Sequence, residues 1–165
     1  MKIVRTTGLL VVAAIALCSQ ACGRESADEL FAKGTAIAKG DTASFAVAEK
    51  SLRRFLDRYP KDQRCDDALW WIGWIAQNRG NPQEAIARYE ELIGKYPESE
   101  FSHKAQFLVG FIYEEMLTDY PRAKDAYQKV IDHYPESSLA EQAKFSIQHL
   151  GKKPEEWIDF GGAQP

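Results

Sequence analysis

Apolar residues recur at helical spacing ahead of three Tyr-Pro pairs, and this pattern predicts a helix before each pair. The pairs are Tyr59-Pro60, Tyr96-Pro97 and Tyr134-Pro135, which lie 37 and 38 residues apart. Proline pushes the residue before it out of the helical region, so each pair ends a helix. The three helices superpose at a small, a large and an apolar position: Ala48, Ala85 and Ala123; Leu52, Tyr89 and Tyr127; Phe55, Leu92 and Val130.

A further helix precedes two of these, because residues 65–81 and 103–119 superpose with Gly73 on Gly110. Residues 26–60 form a degenerate first unit, and residues 137–153 form one lone helix. We therefore predict seven helices, arranged as three antiparallel pairs and a cap.

Local signals predict how two of the helices begin and where an extra residue lies. Asn81 followed by Pro82 predicts an N-cap, and Ser138 with Glu141 predicts a capping box. The third unit is one residue longer than the second, which predicts an insertion in its turn at residues 119–121.

The repeat resembles the tetratricopeptide repeat (TPR), in which two helices recur with small residues at the helix crossing. The matching positions are Gly73, Ala85, Tyr89 and Pro97 in one unit, and Gly110, Ala123, Tyr127 and Pro135 in the next. The resemblance implies an all-α, TPR-like α-solenoid of about three helix pairs plus a C-terminal capping helix. The expected repeat domain covers residues 22–154, and residues 155–165 form a tail.

The pattern of charged and apolar residues at the N-terminus predicts that the protein is exported. Lys2 and Arg5 precede the uncharged residues 8–17, which are too few to span a bilayer, as about 20 are needed. This pattern is typical of a signal peptide, here residues 1–21, and Ser19 and Ala21 are the small residues of a cleavage site.

Cys22 directly follows the predicted cut, and in this it resembles the acylated cysteine of bacterial lipoproteins. We expect a lipid at Cys22, although cleavage without acylation satisfies the same site. Without acylation, a disulfide between Cys22 and Cys65 becomes possible in an oxidising compartment.

The connectors resemble those of exported bacterial repeat proteins, since residues 96–105 and 134–143 both read Tyr-Pro-x-Ser-x-x-x-x-x-Ala. That group includes the outer-membrane assembly lipoprotein of the BamD type and the Tol–Pal-associated YbgF type. The resemblance implies a non-enzymatic periplasmic scaffold for a protein partner, anchored to the outer membrane. Its process would be outer-membrane protein assembly or envelope coordination, and a pilotin-like lipoprotein that assists secretin or pilus assembly is the alternative.

Aromatic residues recur on one face of the first helix of each unit, and this face is the predicted partner-binding groove. Its residues are Trp70, Trp74, Phe107, Phe111, Phe145 and His149. Exposed aromatic surface of this kind typically receives a peptide. The alternative is that the rings are core or are covered by the chain itself. Trp71 is assigned to packing.

The net charge and the missing catalytic motifs argue against two classes of function, nucleic-acid binding and catalysis. A net charge of -3 argues against a nucleic-acid partner. The basic stretch 53–64 suggests either a solvated helix face or a patch for lipid head groups or an acidic partner. No HExxH motif, nucleophile elbow or phosphate loop is present, so we predict no enzyme activity, no metal and no cofactor.

Overall fold

Helices joined by short turns account for nearly all of the chain that the structure covers. The computed structural model describes residues 25–36, 42–152 and 156, and it contains no strand among them. The helices are α1 (Ala27–Thr35), α2 (Thr42–Arg58), α3 (Cys65–Asn78), α4 (Pro82–Lys95), α5 (Ser102–Phe111), α6 (Tyr120–His133) and α7 (Ser138–His149). The predicted all-α fold with seven helices is confirmed for these residues.

The helices pack in chain order, which builds a solenoid from three antiparallel pairs. Each helix contacts the next along the chain, and α1 also touches α3 while α5 touches α7. The first helices α1, α3, α5 and α7 therefore form one layer, and α2, α4 and α6 form the other. The predicted cap is α7, which packs on α6.

Glycine at each helix crossing allows the two helices of a pair to meet closely. A Cβ at Gly73 would lie 2.7 Å from the Tyr89 ring, and one at Gly110 would lie 2.6 Å from the ring of Tyr127. A Cβ at Gly34 would meet the Leu52 side chain in the same way, so the degenerate first unit has the same crossing. The repeat pattern does not identify Gly34, because the extra residues after Gly40 shift its spacing.

The other repeat residues also occupy the predicted places. Ala85, Tyr89, Ala123 and Tyr127 are all buried in the core. Pro97 and Pro135 follow the ends of α4 and α6, which stop at Lys95 and His133.

The predicted N-cap at Asn81 is confirmed, since its side chain accepts a hydrogen bond from Glu84 N–H and Pro82 begins the helix. The predicted capping box of Ser138 and Glu141 is wrong, because the N-cap lies one residue earlier. Ser137 is the N-cap, and its hydroxyl accepts from Leu139 N–H, while Glu141 pairs with Lys144.

The extra residue of the third unit lies in the first helix of the pair and not in the turn, which corrects our prediction. A π-helical turn, Ile112–Met116, follows α5 directly. The turn residue Thr118 and the N-cap Asp119 then take the places of Gly80 and Asn81. A π-turn adds one residue without breaking the helix, which is how the insertion is absorbed.

The predicted signal peptide, Cys22 and the tail other than residue 156 lie outside the described residues. Within residues 25–36, 42–152 and 156, no helix is long and apolar enough to cross a membrane.

Candidate partner-binding surface

One aromatic position repeats three residues before each crossing glycine, and its rings pack inward. Phe31 lies 5.4 Å from Phe55 between ring centroids, Trp70 lies 5.5 Å from Tyr89, and Phe107 lies 5.1 Å from Tyr127. Each ring therefore rests on an aromatic ring of its own partner helix. Trp70 and Phe107 are predicted groove residues, and both are half-buried against a partner helix.

The start of the following unit covers the outer side of these rings. The Arg64 guanidinium lies 4.8 Å above the Phe31 ring, and Phe101 stacks on Trp70 at 5.3 Å. Arg64 and Phe101 are the residues directly before α3 and α5. The second and third units thus cover the aromatic residue of the unit before them, which limits what a partner could reach at Trp70.

The three tryptophans of α3 have different neighbours. Trp70 packs against the core cluster shared by the second and third units, which includes Tyr89. Trp71 and Trp74 pack against the cluster of the first unit and lie edge to face at 5.7 Å. Trp74 also meets Phe45 of α2 at 5.8 Å. The Trp74 ring therefore contacts Trp71. The sequence prediction, in contrast, places Trp74 on the same face as Trp70.

The exposed part of the predicted groove lies at its C-terminal end. Phe111 on α5 is 38% exposed and Phe145 on α7 is 51% exposed. His149 stacks on Phe145 at 4.2 Å, and its Nδ1 lies 2.7 Å from the Phe145 carbonyl oxygen. We call Phe111, Phe145 and His149 the aromatic patch.

Phe145 of the aromatic patch lies at a different place in the solenoid from the equivalent rings of earlier units. Phe145 occupies the place that Phe107 and Trp70 occupy in earlier units, counted by the repeat spacing. Each of those two rings rests on a tyrosine of a second helix. Phe145 lies on α7, the last helix of the described residues, and 51% of its surface is exposed.

Acidic groups border this layer of first helices. Glu114 and Glu115 lie in the π-turn directly after Phe111, and Glu114 accepts a hydrogen bond from the Tyr127 hydroxyl at 2.7 Å. On α3, burial raises the pKa of Asp67, with a further contribution from the charge of Asp66.

The basic stretch 53–64 is largely neutralised within the fold. Arg53 pairs with Glu49 and Glu84 at 2.8 and 2.7 Å. Arg54 pairs with Glu25, and Arg64 pairs with Asp28 and Asp62. These pairs favour the interpretation of this stretch as an ordinary charged surface.

Cys65 is only 1% exposed and its Sγ lies 3.3 Å from the Tyr59 carbonyl oxygen. Burial raises the pKa of its thiol, so it is poorly placed to exchange with another cysteine.

Within the part of the chain described, no group of His, Cys, Asp or Glu could hold a metal ion. His103 and His133 each lie beside Tyr134, at 6.1 and 6.3 Å.

Comparison with protein families agrees with this architecture. A family model described as a tetratricopeptide repeat matches residues 67–99 and 104–137, which are the second and third helix pairs. The chain thus contains TPR repeats, and its fold is a TPR-like α-solenoid. Such repeats generally serve as non-enzymatic scaffolds that bind protein or peptide partners. Among curated proteins, none matches the chain.

Proposed function

We propose that this protein is a periplasmic scaffold, anchored to the outer membrane through a lipid on Cys22, that holds a peptide segment of an envelope protein on its aromatic patch. Outer-membrane protein assembly or envelope coordination is the process that fits best. The N-terminal export signal and the connectors between repeats support this location.

The exposure of Phe111 and Phe145 is the observation that carries the binding role. Large aromatic side chains are usually buried, so two exposed rings on neighbouring helices favour an interaction site. Both rings lie on first helices, and α5 and α7 contact each other. Complete burial of a fully exposed apolar side chain contributes roughly 1.5–3 kcal/mol, and a partner that covers one of these partly exposed rings gains a fraction of this.

The experiment is photo-crosslinking in native envelopes, with a crosslinking amino acid placed at Phe111 or at Phe145 and the products identified by mass spectrometry. The variant Phe111→Ala/Phe145→Ala should lose the partner in co-purification while its circular dichroism is unchanged. Val47→Ala is the matched control, because Val47 is 60% exposed but lies on α2 in the other layer.

Two results would count against the binding role. The alanine pair could retain every partner of the wild type, or both aromatic positions could yield no crosslink while a position at Val47 does. A secretin among the crosslinked proteins would instead favour the pilotin-like alternative.

The anchor is tested separately. Cys22→Ser should move the protein from the membrane fraction to the soluble periplasm, since removal of a lipidated cysteine removes the acyl chains. A protein that stays with the membranes after this substitution would contradict the anchor and leave the binding role intact.

A further inference from the structure

Glu25 is the first residue of the described chain, and the fold holds it in place from three directions. The Tyr59 hydroxyl donates to the Glu25 carbonyl oxygen at 3.1 Å, and Lys33 Nζ donates to the carboxylate at 2.6 Å. Arg54 of α2 also pairs with the carboxylate. The hydrogen bond from Lys33 and the charges of Arg54 and Arg58 hold the pKa of Glu25 below its ordinary value.

The next residue also belongs to the folded body. Ser26 is the N-cap of α1, and it forms a capping box with Glu29: Ser26 N–H donates to the Glu29 carboxylate at 2.8 Å, and Glu29 N–H donates to the Ser26 hydroxyl at 3.2 Å. The chain is thus held in place at Glu25 and Ser26.

Only Gly23 and Arg24 separate Cys22 from this fixed residue. A chain extends by at most about 3.3–3.6 Å per residue, so Cys22 lies within roughly 10 Å of Glu25. A lipid on Cys22 places that residue at the membrane surface, and the tether is then much shorter than α2, whose 17 residues extend over roughly 25 Å.

We propose that the anchored protein rests with its first connector, residues 59–64, directly against the lipid head groups. This rests on the proposed lipid at Cys22. Tyr59 of this connector is bonded to Glu25 and Arg64 is paired with Asp28, so the connector lies beside the start of the folded chain. Lys61 in the connector and Arg58 just before it are exposed.

The short tether, more than electrostatic attraction, holds the connector against the head groups. A basic side chain near an anionic membrane contributes about 1 kcal/mol, but Asp57 is exposed beside Arg58, and Asp62 neutralises Arg64. The partner surface is therefore the polar head-group layer of the anchoring leaflet. The aromatic patch lies in the third unit and the cap, at the opposite end of the solenoid.

Lysine acetylation measured by mass spectrometry tests this contact. The lipidated protein is purified from envelopes and reconstituted in phosphatidylethanolamine–phosphatidylglycerol vesicles. Cys22→Ser mixed with the same vesicles is the reference. Acetylation of Lys61 should be slowed several-fold in the anchored protein, while Lys124 and Lys129 on α6 react equally in both samples.

A variant with a longer tether separates the tether from adhesion to lipid. A Gly/Ser insert of about 15 residues between Gly23 and Arg24 has a mean length of roughly 20 Å and should restore acetylation of Lys61. Continued protection would show that the surface adheres to lipid by itself, which would overturn the tether argument.

The N-terminal peptide in the same spectra reports whether Cys22 is acylated. Acylated protein in which Lys61 reacts at the reference rate would overturn this inference alone. An unmodified Cys22 would overturn the proposed anchor and this inference with it.

Discussion

A methyl group at the crossing of α3 and α4 should have the opposite effect on stability from a methyl group at the end of α4. The two changes are Gly73→Ala and Gly94→Ala. Both glycines lie in helices, and alanine is favoured there over glycine by roughly 0.5–1 kcal/mol. What differs is the space around the new Cβ.

At Gly73 the new atom would lie 2.7 and 2.9 Å from two carbons of the Tyr89 ring. Tyr89 is fully buried, and Trp70, itself stacked on Phe101, packs against its ring. Because the ring has nowhere to move, overpacking should cost roughly 1–3 kcal/mol. After the gain in helix propensity, we expect a net loss of about 1–2 kcal/mol.

At Gly94 a Cβ meets nothing within 4 Å. The residue lines an open cleft of about 410 Å³ between α4, α5 and α6. Gly94→Ala should therefore raise the free energy of unfolding by roughly 0.5–1 kcal/mol, through propensity alone.

Urea unfolding, followed by circular dichroism and by tryptophan fluorescence, measures both changes. The tryptophans of α3 report on the second unit, so the two signals show whether the units unfold together. A Gly73→Ala protein as stable as the wild type would refute the tight crossing. The cycle with Tyr89→Ala is the control, because Gly73→Ala should no longer be destabilising once the ring is gone.

Two further predictions concern backbone strain and pH. Thr118 adopts φ 54° where the second unit has Gly80, so Thr118→Gly should stabilise the fold by about 1 kcal/mol in urea unfolding; an unchanged or lower stability would show that the turn is not strained. Burial, with the charge of Asp66, raises the pKa of Asp67, so the folded state holds this proton more tightly than the unfolded state and loses stability as pH rises through that pKa. Asp67→Asn should therefore be more stable than the wild type at pH 7 and lose that advantage below the ordinary aspartate pKa; equal stability at both pH values would contradict this.

Much of the fold could be predicted because its signals are local. A proline after each second helix and an asparagine before Pro82 act through the backbone of their own neighbours, so the sequence was sufficient for them. The extra residue of the third unit was also visible from spacing. Its location was not, because a turn and a π-helix can each absorb one residue, and spacing alone does not distinguish them.

The candidate site could be predicted only in outline. Repeat spacing identified the aromatic positions, but it does not show which of Trp70, Phe107 and Phe145 is more exposed than the others. The tertiary structure separates them, since Trp70 and Phe107 each rest on a tyrosine of a second helix while Phe145 lies on the last helix.

The sequence by itself determined the repeat, the ends of the second helices and the crossing glycines of two units, because each depends on residue size or backbone geometry at a fixed spacing. The tertiary structure decided which aromatic rings are exposed and how closely Glu25 is held to the first connector. Both depend on contacts between residues far apart in the chain, and no local pattern encodes the presence or absence of a covering neighbour.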